Sequence, residues 1–205
     1  LWPLASVRQI LSVHNKKMGW LEDAIRQGLM GRTPNRTVPR ELRPAAVLIP
    51  IVAMPDGYHL LLTRRSAQLR RQPGDISFPG GAIDEDDPSP LAAALRESEE
   101  EVGLDGEDVD ILGQMDEHET VTGFRITPFV GAVSGPYSFR TNHEVEELIL
   151  VPLSALERPE VLHVEHRRYK GRRIPVYHYL YEHYDIWGIT GRLIKELLEL
   201  IPVGQ

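Results

Sequence analysis

The sequence predicts an α/β fold of the α+β kind, in which a mixed β-sheet has helices packed against it. Three observations point there. Short apolar runs that read as strands alternate irregularly with segments of helical periodicity. The strand-like runs are bounded by turn residues rather than by regular helical crossovers. The chain has 205 residues, enough for one domain with a sizeable core and a small extension.

The elements follow in order. Residues 1–32 read as helical, with Val7, Ile10, Leu11 and Val13, then Trp20, Leu21, Ile25 and Leu29, near helical spacing. "GRTPNRTVPRELRP" (31–44) has three prolines and no apolar period, so it reads as a linker. "AAVLIPIVAM", the turn "PDG" and "YHLLLTRR" make a hairpin over 45–65. A helix is expected from Pro90, capped by Ser89 and ended by a left-handed Gly103. Its inward stripe is Leu91, Ala94, Leu95, Ser98 and Val102. "VDILGQMDE" and "RITPFVGAV" read as strands around the loop "HETVTG", and "EELILVPL" as a strand ended by Pro152. A hairpin turning at Lys170-Gly171 follows. The last element is a helix capped by Thr190, with Leu193, Ile194, Leu197 and Leu198 facing in.

Composition narrows the function. The net charge is −7, which argues against a nucleic-acid duplex as partner, because phosphate binding along a duplex needs a basic face. A small phosphorylated ligand remains compatible. There is no cysteine, which excludes disulfides, a thiolate zinc site and a cysteine nucleophile. No apolar run approaches membrane-spanning length and the N-terminus lacks a signal-peptide pattern, so no membrane partner and a cytoplasmic location are expected.

The chemistry concentrates in "FPGGAIDEDDPSPLAAALRESEEEVGL" (78–104). On a helix, Glu97, Glu100 and Glu101 are i, i+3 and i+4 and share one face. Like charges at such spacing oppose the helix by roughly 0.2–0.5 kcal/mol per pair, and a divalent cation would relieve them. Hard oxygen donors without cysteine or a nearby histidine pair suit Mg²⁺ or Mn²⁺, and Mg²⁺ commonly shares its shell with substrate phosphate. A merely solvated acidic face would leave the adjoining Gly80-Gly81 turn and the central Arg96 unexplained.

Gly81, Arg96-Glu97, Glu100-Glu101, Gly103 and Leu104 resemble the Nudix box, G-x5-E-x7-R-E-U-x-E-E-x-G-U. The interval from Gly81 to Arg96 is one residue longer than that pattern, Asp87 stands at the first glutamate, and Ser98 stands at an apolar position. Upstream, "LLTRRSAQLRRQPGDISFPGG" (61–81) is similar to the signature of the coenzyme A pyrophosphatase branch, L-L-T-x-R-[SA]-x3-R-x3-G-x3-F-P-G-G, with every fixed position filled. "DIWGITGRL" near the C-terminus is also similar to that branch.

The resemblance implies a Nudix fold, a mixed sheet sandwiched between helices, over 44–205, with 1–43 an N-terminal helical extension and linker. It implies metal-dependent hydrolysis of coenzyme A, or a derivative, to 3′,5′-ADP and 4′-phosphopantetheine. Two other readings stay open: a Nudix hydrolase of another diphosphate such as ADP-ribose or an oxidised nucleotide, and a non-catalytic nucleotide sensor. The metal ligands would be Glu97, Glu100, Glu101 and the Gly81 carbonyl, with Arg96 orienting Glu97 or Glu100. Glu100, Glu101 and Arg96 are also the catalytic candidates. The general base would lie in "NHEVEE", Glu144 first and Glu147 second, against the alternative of a plain strand edge. Arg64, Arg65 and Arg70, with Gly80 and Gly81, are the substrate-binding candidates. His118 and His143 read as solvated loop histidines, and Trp187 as core. The tip 166–173 reads as a solvated turn or as a contact to an anionic ligand across a homodimer.

Overall fold

A computed structural model describes residues 19–35, 41–69 and 72–202. The helix expected over residues 1–18 and the substrate-binding candidate Arg70 lie outside the described residues.

The central strand is β1 (Arg43–Met54), antiparallel to β2 (Gly57–Arg65) through the expected Pro55–Asp56 turn. β1 is buried along most of its length, which explains its nearly continuous apolar run. Pro50 sits inside it without breaking the ladder. Leu48 donates its N–H to the Pro79 carbonyl, and Pro50 faces the same side, in the gap between β4 (Gly80–Ala82, paired with Ala45–Val47) and β2 (paired from Ile51). On the other side, β7 (Phe124–Ser134) runs parallel to β1 over its whole length. β5 (Val109–Gln114) and the short β6 (His118–Glu119) pair with β7, while β3 (Ile76–Ser77) and β8 (Val145–Pro152) pair with β2. The short strands β3, β4 and β6 were not expected from the sequence, because two or three residues carry no readable period.

Helices and a second sheet cover the two faces. On one face α2 (Pro90–Val102) packs over Ala46, Leu48, Val52, Leu61, Val109 and Val133. On the other lie α1 (Trp20–Leu29), α4 (Gly188–Leu200) and the sheet of β9 (Leu162–Tyr169), β10 (Arg172–Tyr181) and β11 (Tyr184–Ile186). A short helix, α3 (Leu153–Leu156), links β8 to this layer. Successive residues of β2 separate the faces: Leu60 and Leu62 join one cluster and Leu61 the other.

α1 is part of the core. Leu21, Ile25 and Leu29, four residues apart, are buried in the main cluster, and Arg26 reaches Asp110 (2.8 Å) and the Ile111 carbonyl (3.0 Å). Three expectations are corrected. α4 starts at Gly188, not after a Thr190 cap, and the Thr190 hydroxyl instead donates to the Ile76 carbonyl at 2.9 Å. His118 is buried, its Nε2 lying 2.8 Å from Glu196. Trp187 is 41% exposed, stacked parallel on His178, with Arg167 beside its ring.

Candidate active site

Helix α2 begins as its sequence demands. The Ser89 hydroxyl accepts from Ala92 N–H (3.1 Å), Pro90 opens the first turn, and Gly103 closes the last at φ 66°. The face laid on the sheet is Ala93, Ala94, Ser98, Glu101 and Val102, so a carboxylate lies in a stripe expected to hold apolar or small residues. Ser98 is tolerated there because its hydroxyl returns to the Ala94 carbonyl at 2.7 Å.

Two glycines bring β4 against this helix. A Cβ on Gly80 would lie 2.4 Å from the Ala46 carbonyl oxygen, and φ at Gly80 is 149°. A Cβ on Gly81 would lie 2.5 Å from the Glu97 carboxyl carbon, so a side chain there would displace that carboxylate from where it now sits. Glu101 is 5% exposed and accepts from Gly80 N–H at 3.2 Å. Burial pushes its pKa up to about 7; the Gly80 bond and Arg65 oppose that shift, and Glu97 and Glu144 add to it. Burial also raises Glu97, which Arg96 partly offsets and Glu100 and Glu144 reinforce.

Arg96 is the organising cation. Its fork grips Asp87 through Nε (3.0 Å) and Nη2 (2.9 Å), while Nη1 reaches Glu97 (3.1 Å) and Glu100 (3.4 Å). Asp87 is nearly buried and is held well below the usual carboxylate range by that fork; it also accepts from Asp84 N–H at 2.8 Å. Sequence reasoning gave Asp87 no role. Its place six residues after Gly81 was the available signal, and the one-residue-longer interval to Arg96 is spanned here with the shorter aspartate.

The neighbouring strand ends complete the cluster. Arg65 on β2 lies 3.8 Å from Glu101 and 3.9 Å from Glu144, and its buried Nε has no hydrogen-bond partner among the described residues. Glu144 precedes β8 and is held by its own N–H on Asn142 Oδ1 and its carbonyl on Ser66 N–H. Glu97, Glu100, Glu101, Gly80, Gly81, Arg65, Arg96 and Glu144 are thus brought together. Arg64 and Glu147 are not. One residue along β2, Arg64 faces the opposite side and pairs with Glu147 (3.1 Å) and Glu146 (3.5 Å), and Glu147 also accepts from the Tyr184 hydroxyl at 2.7 Å.

The donor set fits a divalent cation. Glu97 and Glu101 are carboxylates raised first by burial, with Glu144 adding to both, Glu100 to Glu97 and Glu97 to Glu101, and among the described residues the nearest cation to Glu101 stands 3.8 Å away. Among the described residues no three acidic or histidine side chains stand at ligand spacing, with Arg96 holding Glu97 and Glu100. The set is all oxygen, as Mg²⁺ and Mn²⁺ require.

The site is a carboxylate-bearing helix clasped to a Gly-Gly strand, on a mixed sheet between helical layers. The NUDIX domain profile matches residues 42–171. The chain is 41% identical over 182 residues to the "Uncharacterized Nudix hydrolase NudL" of Citrobacter koseri, covering 87% of this chain and 90% of that protein. It is 40% identical over 164 residues to the protein of the same name from Cronobacter sakazakii, covering 80% and 84%. Its fold is similar to that of a MutT/nudix family protein from Enterococcus faecalis, with TM-score 0.52 at 13% identity over 90% of this chain and 68% of that one. The chain therefore belongs to the Nudix family. It is a pyrophosphohydrolase of that family, which acts on nucleoside diphosphate derivatives and generally uses divalent metal ions. No described helix is long and apolar enough to cross a membrane.

Proposed function

We propose that this protein hydrolyses the diphosphate of coenzyme A, or of a coenzyme A derivative, to 3′,5′-ADP and 4′-phosphopantetheine. The observation that carries the reading is how the 61–81 signature divides. Leu61, Leu62 and Phe78 are buried in the two cores, and the Thr63 hydroxyl reaches the Ser77 carbonyl, so these positions build the scaffold. The described residues 72–75 return to Arg65: Arg65 N–H donates to the Asp75 carbonyl, and Gly74 N–H donates to the Arg65 carbonyl. Ser66, next along, donates its N–H to the Glu144 carbonyl, and the signature ends in two glycines, of which Gly80 bonds Glu101 and Gly81 lies against Glu97.

In this proposal Glu97, Glu100 and Glu101 hold Mg²⁺ or Mn²⁺, with the Gly81 backbone alongside. The ion, when bound, lowers the pKa of water and neutralises charge developing on phosphoryl oxygens. Arg96 fixes the helix carboxylates against the Asp87 loop. Arg65 faces the diphosphate, its fork matching phosphate oxygens. Glu144 receives the proton of the attacking water; water oxygen bonds to one phosphorus as the P–O–P bond breaks, and the second phosphate leaves. Arg64 and Glu147 tie β2 to β8 and β11, and Arg70 is kept as a candidate substrate contact. A cytosolic location and a homodimer complete the proposal, both carried by the family resemblance.

The test is product analysis of coenzyme A incubated with the protein and Mn²⁺. The expected result is 3′,5′-ADP and 4′-phosphopantetheine in equal amounts, with turnover well above that on ADP-ribose. Cleavage of ADP-ribose with coenzyme A left intact would overturn the proposal.

A further inference from the structure

Strand β9 is a free edge: among the described residues its one strand partner is β10. The hairpin turns on two residues, Lys170 (φ 47°) and Gly171 (φ 78°), as a type I′ turn does, so Tyr169 and Arg172 close it as a hydrogen-bonded pair. Alternation then aims the main-chain groups of Arg167, Glu165 and His163 at β10, and those of Val164, His166 and Arg168 outward. Proline supplies an independent check. Pro175, which has no N–H, stands opposite His166, a position that only a non-hydrogen-bonded pair tolerates. Val164, His166 and Arg168 are all exposed.

We propose that β9 pairs antiparallel with β9 of a second copy of this chain, about a twofold axis through His166. Val164 then exchanges main-chain bonds with Arg168 of the copy, and His166 with His166, joining the two small sheets into one of six strands. Charge selects this register. With the axis at His166, Glu165 opposes Arg167 of the copy and Arg167 opposes Glu165, a favourable cross-strand pairing made twice. With the axis one residue earlier, Glu165 would face Glu165; one residue later, Arg167 would face Arg167. Both put like charges directly opposite, which is unfavourable. Within one chain Arg167 already donates to Glu165, so the two pairs merge into a four-charge cluster at the junction. His166, Arg167 and Arg168 on an open edge also discourage pairing with foreign strands, leaving the self-complementary partner favoured.

The inference rests on the proposed homodimer only for the existence of a dimer. The chain has no cysteine, so His166→Cys places a single thiol on the axis. Cα atoms of a hydrogen-bonded antiparallel pair lie about 5.5 Å apart, within the ~4.4–6.8 Å that a disulfide spans. Mild oxidation should link His166→Cys into a covalent dimer and leave Arg172→Cys, on the inner strand, unlinked. By sedimentation equilibrium the wild-type protein should show twice the chain's 23.2 kDa. Arg167→Glu should shift the mass towards the monomer, and adding Glu165→Arg in the same chain should restore the dimer. A wild-type dimer in which His166→Cys does not link, or whose mass Arg167→Glu leaves unchanged, overturns this interface alone. A wild-type monomer at every concentration overturns the interface and the homodimer together.

Discussion

Glu101 carries the energetic tension of the site. It is 5% exposed, accepts one backbone bond from Gly80, and its pKa is pushed up to about 7, first by burial. The folded protein therefore keeps a proton at Glu101 that the unfolded chain releases near the ordinary glutamate value of 4.5. Folding stability of the metal-free protein falls as pH rises from about 4.5 to about 7, where the unfolded state binds fewer protons, and this contribution then levels off. The loss is on the order of 1–3 kcal/mol. Denaturant unfolding in chelator at pH 5 and pH 8 checks this. Glu101→Gln, neutral at both, should lose most of that difference, leaving the part due to Glu97, which burial also raises. An unchanged pH difference in the variant would remove Glu101 from the account. Arg96 plays the complementary part: one guanidinium contacts Asp87, Glu97 and Glu100, tying the loop to the helix.

The helical elements show what could and could not be read in advance. The four-residue spacing of Leu21, Ile25 and Leu29 announced an amphipathic helix, and the structure buries that face in the main core beside α4, where Gly28 lets Leu200 approach. Spacing says nothing about the surface that receives a helix; the family resemblance somewhat favoured a dimer interface over the domain itself, and Leu21, Ile25 and Leu29 pack instead in the chain's own core. Ile25 is fully buried, and Ile25→Ala should destabilise the protein by about 2–5 kcal/mol, read as a lowered denaturation midpoint. A change of a few tenths would make α1 an appendage. In α2 the caps Ser89 and Gly103 were legible, and Glu97, Glu100 and Glu101 were visible as a motif. The burial of Glu101 was not, because hydropathy assigns every glutamate to the surface. Asp87 was hidden for a related reason: its partner lies nine residues on, across a loop whose length differs from the common pattern. Trp187 and His118 were misplaced in opposite directions, since a lone aromatic residue or histidine carries no period to say which way it points.

At the scale of the molecule, the sheet separates two tasks. One face takes α2 and, at the strand ends, Arg65 and Glu144; the other takes α1, α4 and the β9–β11 sheet, which build the larger core. The alternation of β2 enforces the division, sending Arg65 to the carboxylates and Arg64 to Glu147. The central claim is that the carboxylate face of α2, clasped to Gly80 and Gly81, is where the diphosphate is cut. The most direct measurement is coenzyme A hydrolysis with Mn²⁺ by wild type and Glu101→Gln, with folding of the variant confirmed by circular dichroism. The account predicts a folded variant whose kcat is lower by on the order of 10²–10³, the cost of one charged group in such a site. A folded Glu101→Gln protein that hydrolyses within a few-fold of wild type would contradict it.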